Sequence, residues 1–559
     1  MFGTELSVKE HLRRGGHWLL FLLLVLWGAR VADAQSSTDA TFLSTLGELR
    51  EAAFVDKEAI IDKLSQSGHP SIHAVLTAFL EDRLYFRNED QKVFLVKTTE
   101  GDLASFDLID PVSLKNAGAE VPDKLTKIGT NNRLRRVLRT SVARFGLSSP
   151  DLSVRLEAVR DMMRALDNAN VDLLRERKNI ETDSAVRKEI DTGLALAALD
   201  GTDPRGRMDA ITVLSGSLSQ DARNKLAALV DKNAEGNFVE TDEQVRKAAQ
   251  AAIEHIDQWR SFYSAIQTLF FGLSLGSVLV LVAIGLAITF GVMGVINMAH
   301  GELMMIGAYT TYVVQIAMPG HSGTSILISI PAAFIVAGVT GIFIERTIIR
   351  FLYGRPLETL LATFGVSLFL QQLVRSIFSA LNRAVETPEW MSGTLQLNEA
   401  LGITYNRLYI VIFTLLVFAA LLLVLKRTRL GLEIRAVSQN RAMARALGVR
   451  SEWVDAMTFG LGSGIAGLAG VALSQLTNVG PNLGQSYIID SFMVVVFGGV
   501  GSLWGALIGG MSMGIINNLL EPYAGAVLAK IFVLVALILF IQIRPRGLFP
   551  QTGRSAENS

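Results

Sequence analysis

Polar side chains recur inside stretches of this chain that are otherwise apolar. The segment Ile296-Asn-Met-Ala-His-Gly-Glu302 places an amide, an imidazole and a carboxyl group close together. One histidine and one glutamate two residues apart do not make a zinc site, so we predict no metal here. No nucleophile is paired with a base, so we also predict no catalytic residue and no intramembrane enzyme. The remaining chemistry is hydrogen bonding to a small polar solute.

Further polar groups lie in other apolar stretches. The candidates for a solute pathway are Asn297, His300, Glu302, Thr363, Ser367, Gln371, Ser463, Gln475, Asn478 and Asn517. A polar group in hydrocarbon needs a partner or a water-lined path, so each is either a pathway residue or part of an interhelical hydrogen bond. Amides and hydroxyls outnumber charges, which favours a small neutral solute over an ion.

The apolar runs that carry these residues are long enough to cross a membrane. They are Leu269–Phe290, Leu303–Met318, Ile326–Ile344, Leu360–Ala380, Leu408–Leu425, Val454–Leu476 and Val527–Ile543, followed in strength by the pair Ile488–Val500 and Trp504–Leu520. Glycines break that pair, which is either two spans or a re-entrant pair. We predict an all-α fold in which residues 262–549 form a polytopic membrane domain of about eight to nine spans or re-entrant segments, followed by a cytoplasmic tail over 550–559.

Residues 1–35 have the pattern of a secretory signal peptide. Lys9, Arg13 and Arg14 precede a short apolar core, and Ala32-Asp33-Ala34 provides a cleavage site. The alternative is an uncleaved membrane anchor. In both cases the domain that follows is exported, so we predict that it lies in the periplasm of a bacterial inner-membrane protein.

Residues 36–260 are predicted to form a soluble α-helical domain. Four turns share an Asp-x-x-x-Arg pattern that opens a helical stretch, at Asp151, Asp183, Asp203 and Asp242. Aspartate caps a helix by accepting a hydrogen bond from its free N–H groups. The repetition favours HEAT-like helix pairs, and the alternative is an irregular helical domain. One β-hairpin is predicted from Val93–Val96 to Phe106–Ile109 around Glu100-Gly101-Asp102.

The charged islands agree with this topology. If the chain starts outside, the crossings that follow place Glu345–Glu358, Lys426–Arg450 and the C-terminal arginines inside. These segments hold most of the Lys and Arg of residues 262–559. Net charge is zero, so bulk electrostatics gives no reason to expect a nucleic-acid partner. No Gly-x-x-x-x-Gly-Lys-Ser/Thr segment occurs, so the chain has no P-loop with which to hydrolyse ATP. There is no cysteine. Gly462-x-Gly464-x-x-Gly467 matches the dinucleotide-binding pattern, but no strand precedes it and it lies within an apolar run, so we predict no cofactor.

The segment Lys426–Arg450 has a helical periodicity that a simple connecting loop does not need. Ala436, Asn440, Met443 and Leu447 recur at helical spacing, and Gly448 follows where a helix would stop. We predict a short amphipathic helix that docks a soluble partner. The alternative is a basic loop that only sets the topology.

Several blocks resemble the permease family of branched-chain amino acid ABC importers. They are Gly291-Val-Met-Gly-Val-Ile-Asn-Met-Ala-His-Gly-Glu302, Glu345-Arg346, Leu361-Ala-Thr-Phe-Gly-Val-Ser367 and Gly498-Gly-Val-Gly-Ser502. Within the family, the blocks over 349–363, 436–443, 480–495 and 520–531 resemble the urea importer permease that carries a long N-terminal extension.

The resemblance implies a permease subunit without catalysis of its own. It implies a second related permease, two ABC ATPase subunits and a periplasmic solute-binding protein as partners, in addition to membrane lipid. It also implies an ATPase-coupling loop made by Arg435, Ala436, Gln439, Asn440, Met443, Ala444, Leu447 and Gly448. Urea is the expected solute. The alternatives are a permease for branched-chain amino acids or short amides and, in another class, a membrane-anchored ligand sensor.

Overall fold

The computed structural model describes residues 39–97, 105–164, 166–233 and 236–549. The predicted signal peptide, the hairpin turn at Glu100-Gly101-Asp102 and the tail 550–559 lie outside these ranges. The chain forms two compact units, Met1–Ile256 and Asp257–Ser559. We call them the N-terminal and the C-terminal unit and describe each by itself.

The N-terminal unit is mostly helical. Its helices are α1 (residues 39–48), α2 (Phe54–Gln66), α3 (Ile72–Leu80), α4 (Asn132–Gly146), α5 (Leu152–Met163), α6 (Asn168–Ile180), α7 (Ser184–Ala198), α8 (Pro204–Ser215), α9 (Gln220–Val230) and the first turns of α10 (Glu243–Met293). Neighbouring helices pack through apolar side chains such as Val186, Ile190 and Leu214.

A five-stranded antiparallel sheet interrupts these helices, where we expected only one hairpin. The strands are β1 (Leu84–Arg87), β2 (Val93–Val96), β3 (Phe106–Ile109), β4 (Asn116–Glu120) and β5 (Leu125–Lys127), in the order β4-β3-β2-β1-β5. The predicted pairing of β2 with β3 is confirmed. β4 was missed because Asn116-Ala-Gly-Ala-Glu120 has no alternation of large apolar residues.

The four aspartate caps are confirmed. Asp151, Asp183, Asp203 and Asp242 each accept a hydrogen bond from an N–H two residues further along the chain. The arginine of the pattern has a second function that the sequence did not reveal. Arg155 and Arg246 donate to carbonyl oxygens of the loop before their own helix. In these turns the aspartate thus bonds to the start of the helix and the arginine to the loop before it. The HEAT-like assignment stays a prediction.

We predict that Glu181→Gln weakens the N-terminal unit. Burial by itself raises the pKa of this carboxyl, but the N–H of Asp183 and the guanidinium groups of Arg177 and Arg155 hold the pKa below its usual value. A lowered folded-state pKa means that the carboxylate stabilises the unit above its unfolded pKa of about 4.3, and that this stabilisation is lost as the pH falls through the folded-state pKa.

At pH 7 the variant should lose about 2 kcal/mol of unfolding free energy, the usual size for hydrogen bonds to a charged group. Hydrogen exchange of the amides over 168–196 measures this loss, which should shrink in acid. Asp172→Asn is the control, because Asp172 pairs with Arg175 at an exposed site and should contribute little. Equal exchange of Glu181→Gln and the natural chain at pH 7 would contradict the prediction.

The C-terminal unit contains helices over every predicted apolar run. They are the rest of α10, α11 (His300–Ala317), α12 (Ser322–Thr347), α13 (Pro356–Phe378), α14 (Tyr405–Arg427), α15 (Arg429–Gln439), α16 (Arg441–Ala446), α17 (Ser451–Ser474), α18 (Leu483–Gly498) and α19 (Leu503–Ile543). A two-stranded hairpin, β6 (Thr394–Asn398) and β7 (Leu401–Thr404), precedes α14.

Six described helices are long and apolar enough to cross a membrane: α10, α12, α13, α14, α17 and α19. α19 unites two predicted runs across a kink at Gly525, which follows Pro522 and has a positive φ of 76°. α18 has 16 residues, or roughly 24 Å of helix, which is shorter than a 30 Å hydrocarbon core. The tight turn with Gly499 and Gly501 at positive φ joins it to α19.

Glycine lets the central helices of this unit approach closely. A Cβ on Gly307 of α11 would collide with the backbone of Gly467 in α17, and a Cβ on Gly470 would collide with the carbonyl oxygen of Met304. Gly276 of α10 meets the backbone of Gly510 in α19 in the same way. Backbone-to-backbone packing of this kind holds apolar helices together where lipid offers no hydrophobic driving force.

Candidate solute pathway and coupling segment

The basic segment between α14 and α17 forms two short helices, which corrects the prediction of one continuous amphipathic helix. Asn440 separates them with extended torsions (φ −155°, ψ 98°) and caps α16 by accepting a hydrogen bond from the N–H of Met443. Asparagine favours caps because its side chain competes for backbone hydrogen bonds. Gly448 follows the last turn of α16 with a φ of 89°, so the predicted stop is confirmed.

Most of the predicted coupling residues are exposed. Those on the surface are Arg435, Gln439, Asn440, Met443, Leu447 and Gly448, whereas Ala436 is half-buried and Ala444 is buried. The buried side of the segment packs through Ile434, Val437 and Val454. Met443 and Leu447 are 58% and 80% exposed. Leu432 of the same segment is also exposed. Large apolar side chains that are exposed among basic and polar residues are typical of a docking surface.

Arg441 fastens α16 to the rest of the unit. Its guanidinium lies 3.9 Å from the centroid of the Tyr353 ring, in the loop before α13, and donates to the Tyr353 hydroxyl. It also pairs through two nitrogens with the buried carboxylate of Asp455 in α17. A bidentate pair of this type adds geometric specificity as well as energy. Arg441 therefore connects α16 both to α17 and to the start of α13.

We predict that Arg441→Ala releases α16. Removing one partner of a buried ion pair costs about 3 to 5 kcal/mol, because Asp455 is left buried without its countercharge. Limited proteolysis over 429–450 should become faster, and solute uptake should fall about tenfold or more. Arg429→Ala is the matched control from the same segment, since the Arg429 side chain is 91% exposed and its ion pair with Glu433 should contribute little. Proteolysis at the natural rate in Arg441→Ala would refute this prediction.

A polar stripe runs along one face of α13 at four-residue spacing. Its members are Thr359, Thr363, Ser367, Gln371 and Arg375. The middle members bond to α11 and the segment before it. The hydroxyl of Thr363 accepts from the N–H of Met298 at 3.1 Å. Ser367 Oγ and Gln371 Nε2 both donate to Glu302 Oε1 at 2.6 Å.

Four of the ten predicted pathway residues lie on this stripe or bond to it, and Asn297 lies next to it, between two residues whose backbone groups bond to Thr363. The four are Glu302, Thr363, Ser367 and Gln371, and all five residues are buried. Asn297 Oδ1 caps the turn before α11 by accepting from the N–H of Ala299 at 3.0 Å. Its Nδ2 and the second Glu302 oxygen, Oε2, are buried without a hydrogen-bond partner in the described part of the chain.

The other five predicted residues do not join the stripe. His300 turns to α10, where its Nε2 bonds to the carbonyl of Val282 at 3.1 Å. Ser463 fits against Gly341 of α12, where no Cβ would be accommodated. Gln475 lines an apolar groove of about 200 Å³ beside Trp390 and Tyr409. Asn478 is exposed in a loop, and Asn517 is buried in α19.

Within the described ranges, no three His, Asp or Glu side chains come together in a group that could hold a metal ion. The hydroxyl and amide groups of the stripe are hydrogen-bond donors and acceptors inside an apolar helical unit. Such an arrangement can hold or pass a small polar molecule.

The family model of the branched-chain amino acid transport system permease component matches residues 268–542. The high-affinity branched-chain amino acid transport system permease protein LivH of Salmonella typhimurium is 33% identical over 298 residues, which cover 51% of this chain and 96% of the relative. BraD of Pseudomonas aeruginosa is 32% identical over 295 residues, with the same two shares. The chain belongs to this permease family.

More distant similarity extends to the ribose import permease protein RbsC of Escherichia coli, at 26% identity over 46% of this chain and 78% of that protein. No solved structure matches the chain. The stripe and the basic segment both lie inside the matched range of this ABC permease subunit.

Sequence reasoning missed several contacts of the permease. Tyr353 and Asp455 were not singled out, although a tyrosine within a basic loop and an aspartate near the start of an apolar run are both unusual enough to have been noticed. The C-terminal end of the stripe was also missed, where Arg375 donates to Asn482 Oδ1 at 2.9 Å. The four-residue spacing from Thr359 to Arg375 was the available signal.

Proposed function

We propose that this permease moves branched-chain amino acids inward through the membrane in an ATP-driven importer. The observation that carries the proposal is the match to LivH and BraD over 96% of their length, together with their names as high-affinity branched-chain amino acid permeases. Because the match covers nearly the whole length of each relative, it supports the same transport function for this chain. Our initial expectation, urea, lacks such support from a relative.

The proposed assembly contains two separate ATPase subunits, a solute-binding protein and a second, related permease. The lack of a P-loop motif in the sequence supports separate ATPases. The exposed apolar pair Met443 and Leu447 supports a partner at the basic segment. The charge distribution supports an orientation with this segment inside and the N-terminal unit in the periplasm.

The proposed mechanism is alternating access. ATP-dependent closure of the ATPases moves α16, and Arg441 passes this displacement to Tyr353 and so to the start of α13. α13 carries the polar stripe, so its position controls whether the stripe is closed against α11. A ligand or motor shifts such an equilibrium only through contacts that differ between the two states, and the stripe supplies contacts of that kind.

Urea remains the second candidate because of one feature of the stripe. A zwitterion presents a carboxylate, which calls for a cationic partner along its path. The one cationic side chain of the stripe, Arg375, is at its C-terminal end and bonds to Asn482. The remaining members, hydroxyls and an amide, suit a neutral solute.

Uptake of labelled leucine and labelled urea in cells with and without this chain tests the proposal. We expect chain-dependent uptake of leucine that unlabelled isoleucine and valine suppress and that urea does not. Chain-dependent uptake of urea alone would replace the solute and keep the importer. Equal uptake of both solutes with and without the chain, when all partner subunits are present, would overturn the proposal.

A further inference from the structure

We propose that Glu302, Ser367 and Gln371 form a membrane-embedded site that recognises an N–H donor group of the solute. The inference rests on the proposed transport function and assigns the recognition to one carboxylate. An amino-acid ammonium and the amide groups of urea share this donor chemistry. They differ in charge, and the experiment below uses that difference.

The first observation is the half-satisfied carboxylate. Glu302 Oε1 accepts two hydrogen bonds at 2.6 Å, whereas Oε2 has no partner and no cationic side chain pairs with Glu302 in the described residues. The side chain is only 1% exposed. A carboxylate buried in a membrane domain without a countercharge is costly, and such groups mark sites that bind or relay.

The second observation is the direction of the free oxygen. Oε2 lies against Gly484 in the first turn of α18, so close that a Cβ at this position would overlap it. Gly301 meets the backbone of the same glycine. The oxygen therefore lies in the seam where α11, α13 and α18 meet, and a side chain at position 484 would close that seam.

The third observation is how α13 is attached to α11. Its outward face carries Leu357, Leu361 and Phe369, all more than half exposed. Near its C-terminal end, α13 packs on α11 through Val374 and Phe378. In its middle, the attachment is polar, because Ser367 and Gln371 donate to Glu302. A donor group of a solute can replace bonds of this kind.

These observations together define an exchange reaction. When α13 moves away from α11, Ser367 and Gln371 leave Glu302 Oε1, and the donor group of the solute takes their place on the carboxylate. The solute then compensates for the hydrogen bonds that are broken. This provides the contact that differs between the closed and the open state.

The test uses the complete importer, with this chain co-expressed with the second permease, the ATPase subunits and the binding protein and reconstituted in liposomes. Two rates are measured, solute import and ATP hydrolysis stimulated by the loaded binding protein. For a solute with an ammonium group, Glu302→Gln should lower import per ATP hydrolysed about tenfold, with stimulated hydrolysis within about twofold of the natural chain. Glu302→Asp should restore part of the import.

For a neutral solute, Glu302→Gln should import at about the natural rate, since an amide oxygen also accepts, whereas Glu302→Leu should fail. Thr458→Val is the control and should import and hydrolyse at the natural rates, because it removes a buried hydroxyl of α17 that bonds within its own helix to the carbonyl oxygen of Val454. Natural import by Glu302→Leu, or a parallel fall of import and hydrolysis in every Glu302 variant, would overturn the site. Absence of import and of stimulated hydrolysis in the natural chain would instead refute the transport function.

Discussion

Met443→Asp is expected to abolish solute uptake, with a fall of about a hundredfold or more, while leaving membrane insertion intact. The Met443 side chain is 58% exposed in α16 and lies one turn before Leu447, which is 80% exposed. If these two side chains enter a groove of an ATPase, the new carboxylate must be buried there without a partner. Burial of an unpaired charge costs several kcal/mol, enough for this loss.

The measurements are uptake in cells and ATP hydrolysis by the purified complex, and both should fall together. Met443→Leu is the matched control, because it keeps an apolar side chain of similar volume and should retain most of the activity. Uptake at the natural rate by Met443→Asp would remove the coupling role from this segment.

The orientation of the same residue can be measured directly. The chain has no cysteine, so Met443→Cys introduces its only thiol. A membrane-impermeant maleimide should fail to label this thiol in intact spheroplasts and should label it after the membrane is opened. Labelling from the periplasmic side would place α16 outside and contradict the proposed coupling.

Gly470→Leu is expected to prevent correct folding of the C-terminal unit. A Cβ on Gly470 would overlap the carbonyl oxygen of Met304 and approach the backbone nitrogen of Ala308 to 2.6 Å. The obstacle is backbone, which cannot move aside by a change of rotamer. Overpacking usually costs about 1 to 3 kcal/mol when side chains can adjust, so the cost here should exceed that range.

Thermal stability of the purified protein and its yield in the membrane measure this effect. Gly365→Leu is the matched control, since it makes the same change in an apolar helix at a glycine with open space around its Cβ position. We expect a clear loss of yield and melting temperature for Gly470→Leu and little change for Gly365→Leu. Similar stability of the two variants would show that α11 and α17 do not need their close approach.

The basic segment shows where local pattern succeeds and where it fails. Helical spacing predicted helix on both sides of Asn440, and it predicted the stop at Gly448 because only the chain near that glycine matters. The spacing of apolar residues continues through Asn440, so it gave no sign of the break. The break coincides with the asparagine cap. Beyond it, α16 is held through Arg441 by Asp455, 14 residues away, and by Tyr353, 88 residues away, and helical spacing carries no information about such contacts.

Sequence patterns were enough to predict the helices of the membrane domain, the capped turns of the N-terminal unit and the permease family. These features depend on residues a few positions apart, because hydropathy, capping and motif spacing are local properties. An almost wholly apolar helix, however, carries little information about which face turns inward. The meeting of Glu302 with Ser367 and Gln371, 65 and 69 residues away, was therefore decided only by tertiary packing, where close glycine contacts set how α11 and its neighbours meet.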